Sequence, residues 1–149
     1  MKTIIVLRHA DVDPIPGHAP APLSWPLNAA GQSRAKTLVD VVGGAGITAV
    51  FASPAARTQR TAGPLLAKLG FALRVPVPPA DLLTEVLSDG AGGSVLVVGH
   101  SNTVPEILTT LGTPIPESAL DGHADLFIVT WISQGQASLV RLKYGKIGT

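Results

Sequence analysis

Apolar residues along this chain fall into short blocks of two kinds that alternate. Ile4-Ile5-Val6-Leu7 is an unbroken apolar run too short for a helix, the pattern of a strand buried on both faces. Residues 48–52 (Thr-Ala-Val-Phe-Ala) and 94–99, which include Val95-Leu96-Val97-Val98, read the same way. Between them the spacing becomes helical. Over 29–42, Ala30, Ala35, Leu38, Val39 and Val42 share one face, with Asn28 placed as N-cap and Gly43-Gly44-Ala45-Gly46 as a stop. Ser53-Pro54 predicts a second helix, serine as N-cap and proline at the first helical position, running to about Leu69 and closed by Gly70. Residues 71–77 predict a further strand, set near an edge because Pro76 cannot donate to a ladder. Residues 80–89 form a short helix or turn. After 94–99 a helix over 103–111 is expected, ended by Gly112 and Pro114-Ile115-Pro116.

Two segments depart from the alternation. Residues 11–27 contain Pro14, Pro16, Pro20, Pro22 and Pro26 and are a loop. Residues 126–132 and 137–143 are apolar strands joined through Ser133-Gln134-Gly135-Gln136, where glycine supplies the positive φ of a hairpin turn. The expected fold is one α/β domain over residues 1–149. It is a three-layer α/β/α sandwich on a mostly parallel sheet, with an antiparallel hairpin at the C-terminal end.

Composition narrows the function. Hydrophobic residues make up 46% and charged residues 14%, enough apolar surface to fold. A net charge of +1 argues against a nucleic acid held on a broad basic face but leaves room for a local cationic pocket. Cysteine is absent, which removes disulfides and thiolate chemistry. No apolar run nears the ~18 residues of a membrane span. The first strand meets Arg8 too early for a signal-peptide core, so a cytoplasmic protein is expected, with export after removal of a leader left open. No His-x-x-x-His or acidic cluster offers a metal site, and the 43–46 glycine run follows a helix instead of opening one, unlike a dinucleotide loop. Neither a metal nor a cofactor is expected. Oligomeric state leaves no mark on the sequence.

The chemistry lies at strand ends. Ile4–Leu7 stops at Arg8-His9-Ala10, and Val95–Val98 stops at Gly99-His100-Ser101-Asn102. Open α/β sheets bind ligands beyond the carboxyl ends of their strands. Arg57 sits one turn into the helix after the second strand, with Arg60 three residues on. Ser101, Asn102 or Thr103 can cap the helix that follows His100. Guanidinium forks, imidazoles and helix N-termini are donors suited to a phosphoryl group.

Leu7-Arg8-His9-Ala10 resembles the Arg-His-Gly signature of the histidine phosphatase superfamily, which includes the phosphoglycerate mutases. Ser53-Pro54-Ala55-Ala56-Arg57-Thr58-Gln59-Arg60-Thr61-Ala62 is similar to that family's Ser-Pro-x-x-Arg-x-x-Gln-Thr-Ala segment. Val98-Gly99-His100-Ser101-Asn102-Thr103-Val104-Pro105 resembles its second-histidine segment, and Leu27 to Ala35, with Gly31, its Leu-Thr-x-x-Gly-x-x-Gln-Ala helix. The resemblance implies that His9 is a nucleophile forming a phosphohistidine, with Arg8, Arg57 and His100 binding the phosphoryl oxygens and Asn102 contributing to the phosphate site. It also implies a general acid, for which Leu83-Thr84-Glu85 offers Glu85, with Asp11 and Asp13 as rivals.

Departures bear on the branch. Ala10 replaces the usual glycine, Arg60 stands where glutamine is common and would make the pocket more cationic, and the long insertion of the mutases is missing. The chain is therefore closer to the small branch that includes the phosphohistidine phosphatases. Its expected partner is a phosphorylated small molecule or a phosphoprotein. A mutase-type phosphoryl transferase and a non-catalytic phosphate-binding module are the alternatives. His18 reads as an exposed loop residue that could reach over the pocket. His123 precedes the hairpin and could approach the same rim; neither joins the catalytic set. Trp25 reads as an anchor for the proline-rich loop and Trp131 as core.

Overall fold

The strand that ends in Arg8-His9 occupies the middle of the sheet. The computed structural model describes residues 1–17, 20–76, 81–88, 93–120 and 122–147. Five strands, β1 (Lys2–Arg8), β2 (Ile47–Ala52), β3 (Ser94–Gly99), β4 (Asp125–Ser133) and β5 (Gln136–Lys143), line up in the order β2-β3-β1-β4-β5. β1, β2 and β3 run parallel, while β4 and β5 are antiparallel to their neighbours. Gly135, at φ 82, makes the hairpin turn, as its sequence position predicts. The fold is the expected α/β sandwich.

Helices α1 (Ala29–Val42) and α2 (Ala56–Leu69) cover one face, and α3 (Leu82–Ser88) and α4 (Thr103–Thr110) cover the other. Ile4, Val6, Phe51, Val97 and Phe127 meet Val86 of α3 and Ile107 and Leu108 of α4. Ile5, Leu7, Val50 and Leu96 meet Leu38 and Val42 of α1 and Ala62 and Leu65 of α2. β1 is thus buried on both faces, which its unbroken apolar run requires. Each such side chain contributes about 1.5–3 kcal/mol by leaving water.

α1 starts where the sequence places it, with the Asn28 side chain accepting from the Gly31 amide at 2.9 Å. Gly31 is needed for a second reason. A Cβ there would lie 2.1 Å from the Asp11 carbonyl oxygen, so only glycine lets α1 approach the segment leaving β1. Ala30 is exposed instead of facing the core.

Two expected elements differ. α2 begins at Ala56 with Ala55 as its N-cap, and no side chain caps it. Ser53 is not the cap because its hydroxyl is engaged elsewhere, 2.8 Å from the Thr58 hydroxyl and 2.7 Å from His100 Nε2. The strand expected over 71–77 is a single bridge, Arg74 beside Phe51. Only Arg74 pairs, donating to Val50 O and accepting from Ala52 N, and Pro76 has no amide with which to continue. Val77 lies outside the described residues, as does His18.

One polar knot is enclosed. Arg34, 3% exposed, projects from the apolar side of α1. Its Nε meets Asp11 at 2.7 Å, and its two terminal nitrogens donate to the carbonyls of Tyr144 and Lys146 at 2.5 and 2.8 Å. Replacing Arg34 by alanine removes the ion-pair partner of the buried Asp11 carboxylate. The expected loss is about 3–5 kcal/mol, read as a drop in the urea midpoint. Lysine, a point charge without the fork, should recover only part of it.

Candidate active site

Parallel pairing aligns the ends of β1 and β3. Arg8 lies opposite Gly99, and the His9 amide continues the ladder by donating to Gly99 O at 2.8 Å. His9 and His100 therefore leave adjacent strands at the same level, with ring centroids 5.4 Å apart. β4 is antiparallel to β1, with Leu126 opposite Leu7, so the residues entering β4 start where β1 ends. His123 is delivered there and packs on the other side of His9 at 5.3 Å. Three imidazoles from three strands thus form one cluster around His9, which is 5% exposed.

The hydrogen bonds assign nitrogens. His9 Nδ1 lies 2.7 Å from its neighbour's carbonyl, Ala10 O. A carbonyl only accepts, so Nδ1 carries the proton and Nε2 holds the lone pair. His123 Nδ1 likewise donates to His9 O at 2.8 Å, tying the third ring to the backbone of the first. The Ala10 amide donates to the Thr61 hydroxyl of α2 at 2.8 Å, which fixes the turn after His9. On β3, the Thr103 hydroxyl accepts from the His100 amide at 2.8 Å. A Cβ on Gly99 would sit 2.8 Å from that hydroxyl, so glycine before His100 preserves this turn.

The site is cationic. Arg8 reaches over to donate to Gly122 O at 3.0 Å, while its buried Nε has no acceptor among the described residues. Arg57, half-buried on α2, donates to Pro22 O at 3.1 Å and is close enough to His100 to disfavour its protonation. Asp11, rival for the proton-donor role, is buried and ion-paired with Arg34 at 2.7 Å. Burial, helped by Arg8 and the flanking imidazoles, lowers the His9 pKa to about 3, against the pull of its bond to Ala10 O. Burial, with Arg57 and Arg8, lowers His100 to about 4. Burial and Arg8 also push His123 down. At neutral pH His9 is a neutral imidazole with a free Nε2 lone pair beside the Arg8 guanidinium, an arrangement that can act as a nucleophile toward an anionic group.

Other sequence candidates make no hydrogen bond to the histidine rings among the described residues. Glu85 is exposed on α3, and Asp13 is exposed with its carboxylate 3.3 Å from the Asn28 amide. Asn102 is exposed and lines a depression with Pro105 and Thr109. Arg60 is exposed over the α1–α2 groove near Gln32 and Lys36 and does not join the cationic pocket. Trp25 donates to Asp13 O at 2.9 Å and so holds the proline-rich loop together. Trp131 packs partly buried at the border of the core. His123 is the site residue that the sequence reading left out, although its place just before an antiparallel neighbour of β1 was a usable signal. A cavity of about 380 Å³ opens beside His100 and Ser53, between the ends of β2 and β3 and helices α3 and α4.

The family model of the histidine phosphatase superfamily (branch 1) matches residues 4–86. No curated protein matches. Among solved structures, the protein histidine phosphatase SixA complexed with tungstate has a TM-score of 0.74 at 19% identity, over 95% of this chain and 96% of that one. Mycobacterial hydrolase 1 superposes with a TM-score of 0.73 at 15% identity, covering 94% and 96% of the two chains. Mycobacterial glucosyl-3-phosphoglycerate phosphatase with inorganic phosphate gives 0.71 at 18% identity, covering 94% and 96%. These likenesses establish the fold.

The histidine cluster predicts a pH signature. In the unfolded chain each ring titrates near 6.5, whereas in the fold His9 and His100 stay neutral down to about 3 and 4. Below 6.5 the unfolded state therefore binds more protons, and acid favours unfolding. Stability from urea titrations should hold above pH ~7 and fall toward pH ~4, by up to about 1.4 kcal/mol per pH unit for each histidine. His9→Ala should make the fall shallower. A flat profile across that window would mean the folded protein already carries charged imidazoles.

Proposed function

The chain belongs to the histidine phosphatase superfamily (branch 1), and from that premise we propose that it hydrolyses a phosphomonoester or phosphoamidate through a phosphohistidine on His9. The observation that carries this reading is the His9 ring, held with Nε2 as the lone-pair nitrogen between two imidazoles and beside Arg8. Nε2 attacks phosphorus in line. An N–P bond forms, the bond from phosphorus to the leaving oxygen or nitrogen breaks, and that atom takes a proton from a general acid. Water then attacks the phosphohistidine, releasing inorganic phosphate and restoring the imidazole.

Arg8, Arg57 and His100 stabilise the charge on the non-bridging oxygens. The unpartnered Arg8 Nε is a buried donor that a phosphoryl oxygen would satisfy. A bound dianion also favours the charged form of His100, so an imidazole that is neutral in the empty site becomes a cationic donor when substrate arrives. In this reading Glu85 is the proton donor. It follows Leu83, which lines the cavity beside His100, and α3 brings it to the same side of the sheet. Asn102, at the N-cap of α4, would contribute through the first turn of that helix and not through a side-chain cap.

The test is rapid-quench trapping with a radiolabelled phosphate ester in the presence of chelator. Wild type should yield an acid-labile, alkali-stable phosphoenzyme and release phosphate, and His9→Ala should give neither. A phosphate-induced rise in melting temperature without phosphoenzyme would instead mark a binding module. Arg57→Lys should keep the charge but lose about 10-fold or more in kcat/KM, because the planar fork is gone. Glu85→Gln should slow alkyl phosphates far more than p-nitrophenyl phosphate, whose leaving group needs no proton. Equal slowing would remove Glu85 as the acid.

A further inference from the structure

The cavity beside His100 has a chemistry of its own. Pro76, Leu82, Leu83, Val98 and Ile107 give it apolar walls, and Glu106 of α4 supplies a carboxylate. Among its described lining residues there is no lysine or arginine. It shares His100 and Ser53 with the histidine cluster, so a phosphoryl group held at His9 has this concavity as the neighbouring space for whatever leaves. Its volume of about 380 Å³ is within the range of small-molecule sites. A folded phosphoprotein would present a convex surface to it; a small organic group fills it.

Resting on the phosphatase reading above, we propose that this cavity is the leaving-group subsite, and that it takes a small apolar alcohol, aromatic or branched, without a carboxylate. Burying apolar carbon against Leu82, Leu83 and Ile107 supplies the binding energy. Glu106 sets the polarity of the exclusion. A hydroxyl or ammonium on the leaving group can donate to it, whereas a carboxylate beside the exposed Glu106 meets a like charge, with no lysine or arginine among the described lining residues to offset it. Phosphorylated hydroxy acids are thereby selected against, and the class of reaction that supplies the substrate is phosphorylation of an uncharged or cationic apolar alcohol.

The experiment compares kcat/KM for phenyl, 2-naphthyl and 4-carboxyphenyl phosphate on the full chain. 2-Naphthyl phosphate should exceed phenyl phosphate by about 10-fold, and 4-carboxyphenyl phosphate should fall below it by a similar factor. Leu83→Asp should compress the first ratio, and Glu106→Lys should invert the second. Because each variant is judged by a ratio within one protein, a general loss of folded material cannot imitate the result. Three esters used within about 2-fold of each other by wild type would overturn the subsite. So would a carboxyphenyl-to-phenyl ratio unmoved by Glu106→Lys. If wild type turns over none of them, the phosphatase reading fails separately. Calorimetric titration of the same three esters against inorganic phosphate then decides: tighter binding of the naphthyl ester supports the subsite, and equal affinities overturn it.

Discussion

A single backbone hydrogen bond, from the His9 amide to the Gly99 carbonyl, fixes everything that follows at the carboxyl edge of the sheet. It extends the parallel register of β1 with β3 by one residue beyond Arg8 and Gly99, and so sets two histidines side by side at neighbouring strand exits. A slip of one residue would turn every β1 side chain to the opposite face, sending Ile4 and Val6 where Ile5 and Leu7 belong. The apolar run that makes β1 a buried strand and the alignment of the histidines are consequently one constraint. β4 adds its own ring because its antiparallel pairing with β1 brings a strand entrance, not an exit, to that edge.

Burial and charge act together on these rings. Removing the imidazoles from water disfavours their protonated forms, and Arg8 and Arg57 reinforce the effect. A carboxylate nearby would oppose it. Asp11, two residues from His9, is such a carboxylate and favours the charged form of His123, while Arg34, paired with it at 2.7 Å, acts in the opposite sense. Gly31 completes the arrangement by letting α1, which carries Arg34, press against the Asp11 backbone. A helix on one face of the sheet thereby contributes to the electrostatics of an edge it does not itself line.

Much of this was legible in the chain. Unbroken apolar runs identify β1, β2 and β3, since strands covered on both faces need no polar alternation, and Asn28 and Gly70 mark helix limits by side-chain capping and a left-handed φ of 79. What the sequence misjudged depended on partners distant along the chain. Ser53 has the form of a helix cap, but His100 and Thr58 compete for its hydroxyl. Residues 71–76 have strand composition, but with one paired residue and a proline they make a bridge. Arg34 lies four residues before Leu38 in the buried stripe of α1, and a charged residue there announces an enclosed partner whose identity only the tertiary structure reveals.

The clamp around Arg34 also has a temporal meaning. Its carbonyl partners at Tyr144 and Lys146 are 110 and 112 positions further along the chain. During synthesis the guanidinium and its helix are made first, while two of the groups that enclose it follow only after β5. A nascent chain can form β1 and α1 and still hold an incompletely satisfied cation at their junction until the hairpin has folded and the following residues dock. Closure of this knot therefore awaits the residues that follow the hairpin, and it couples their docking to the seating of Asp11 at the exit of β1.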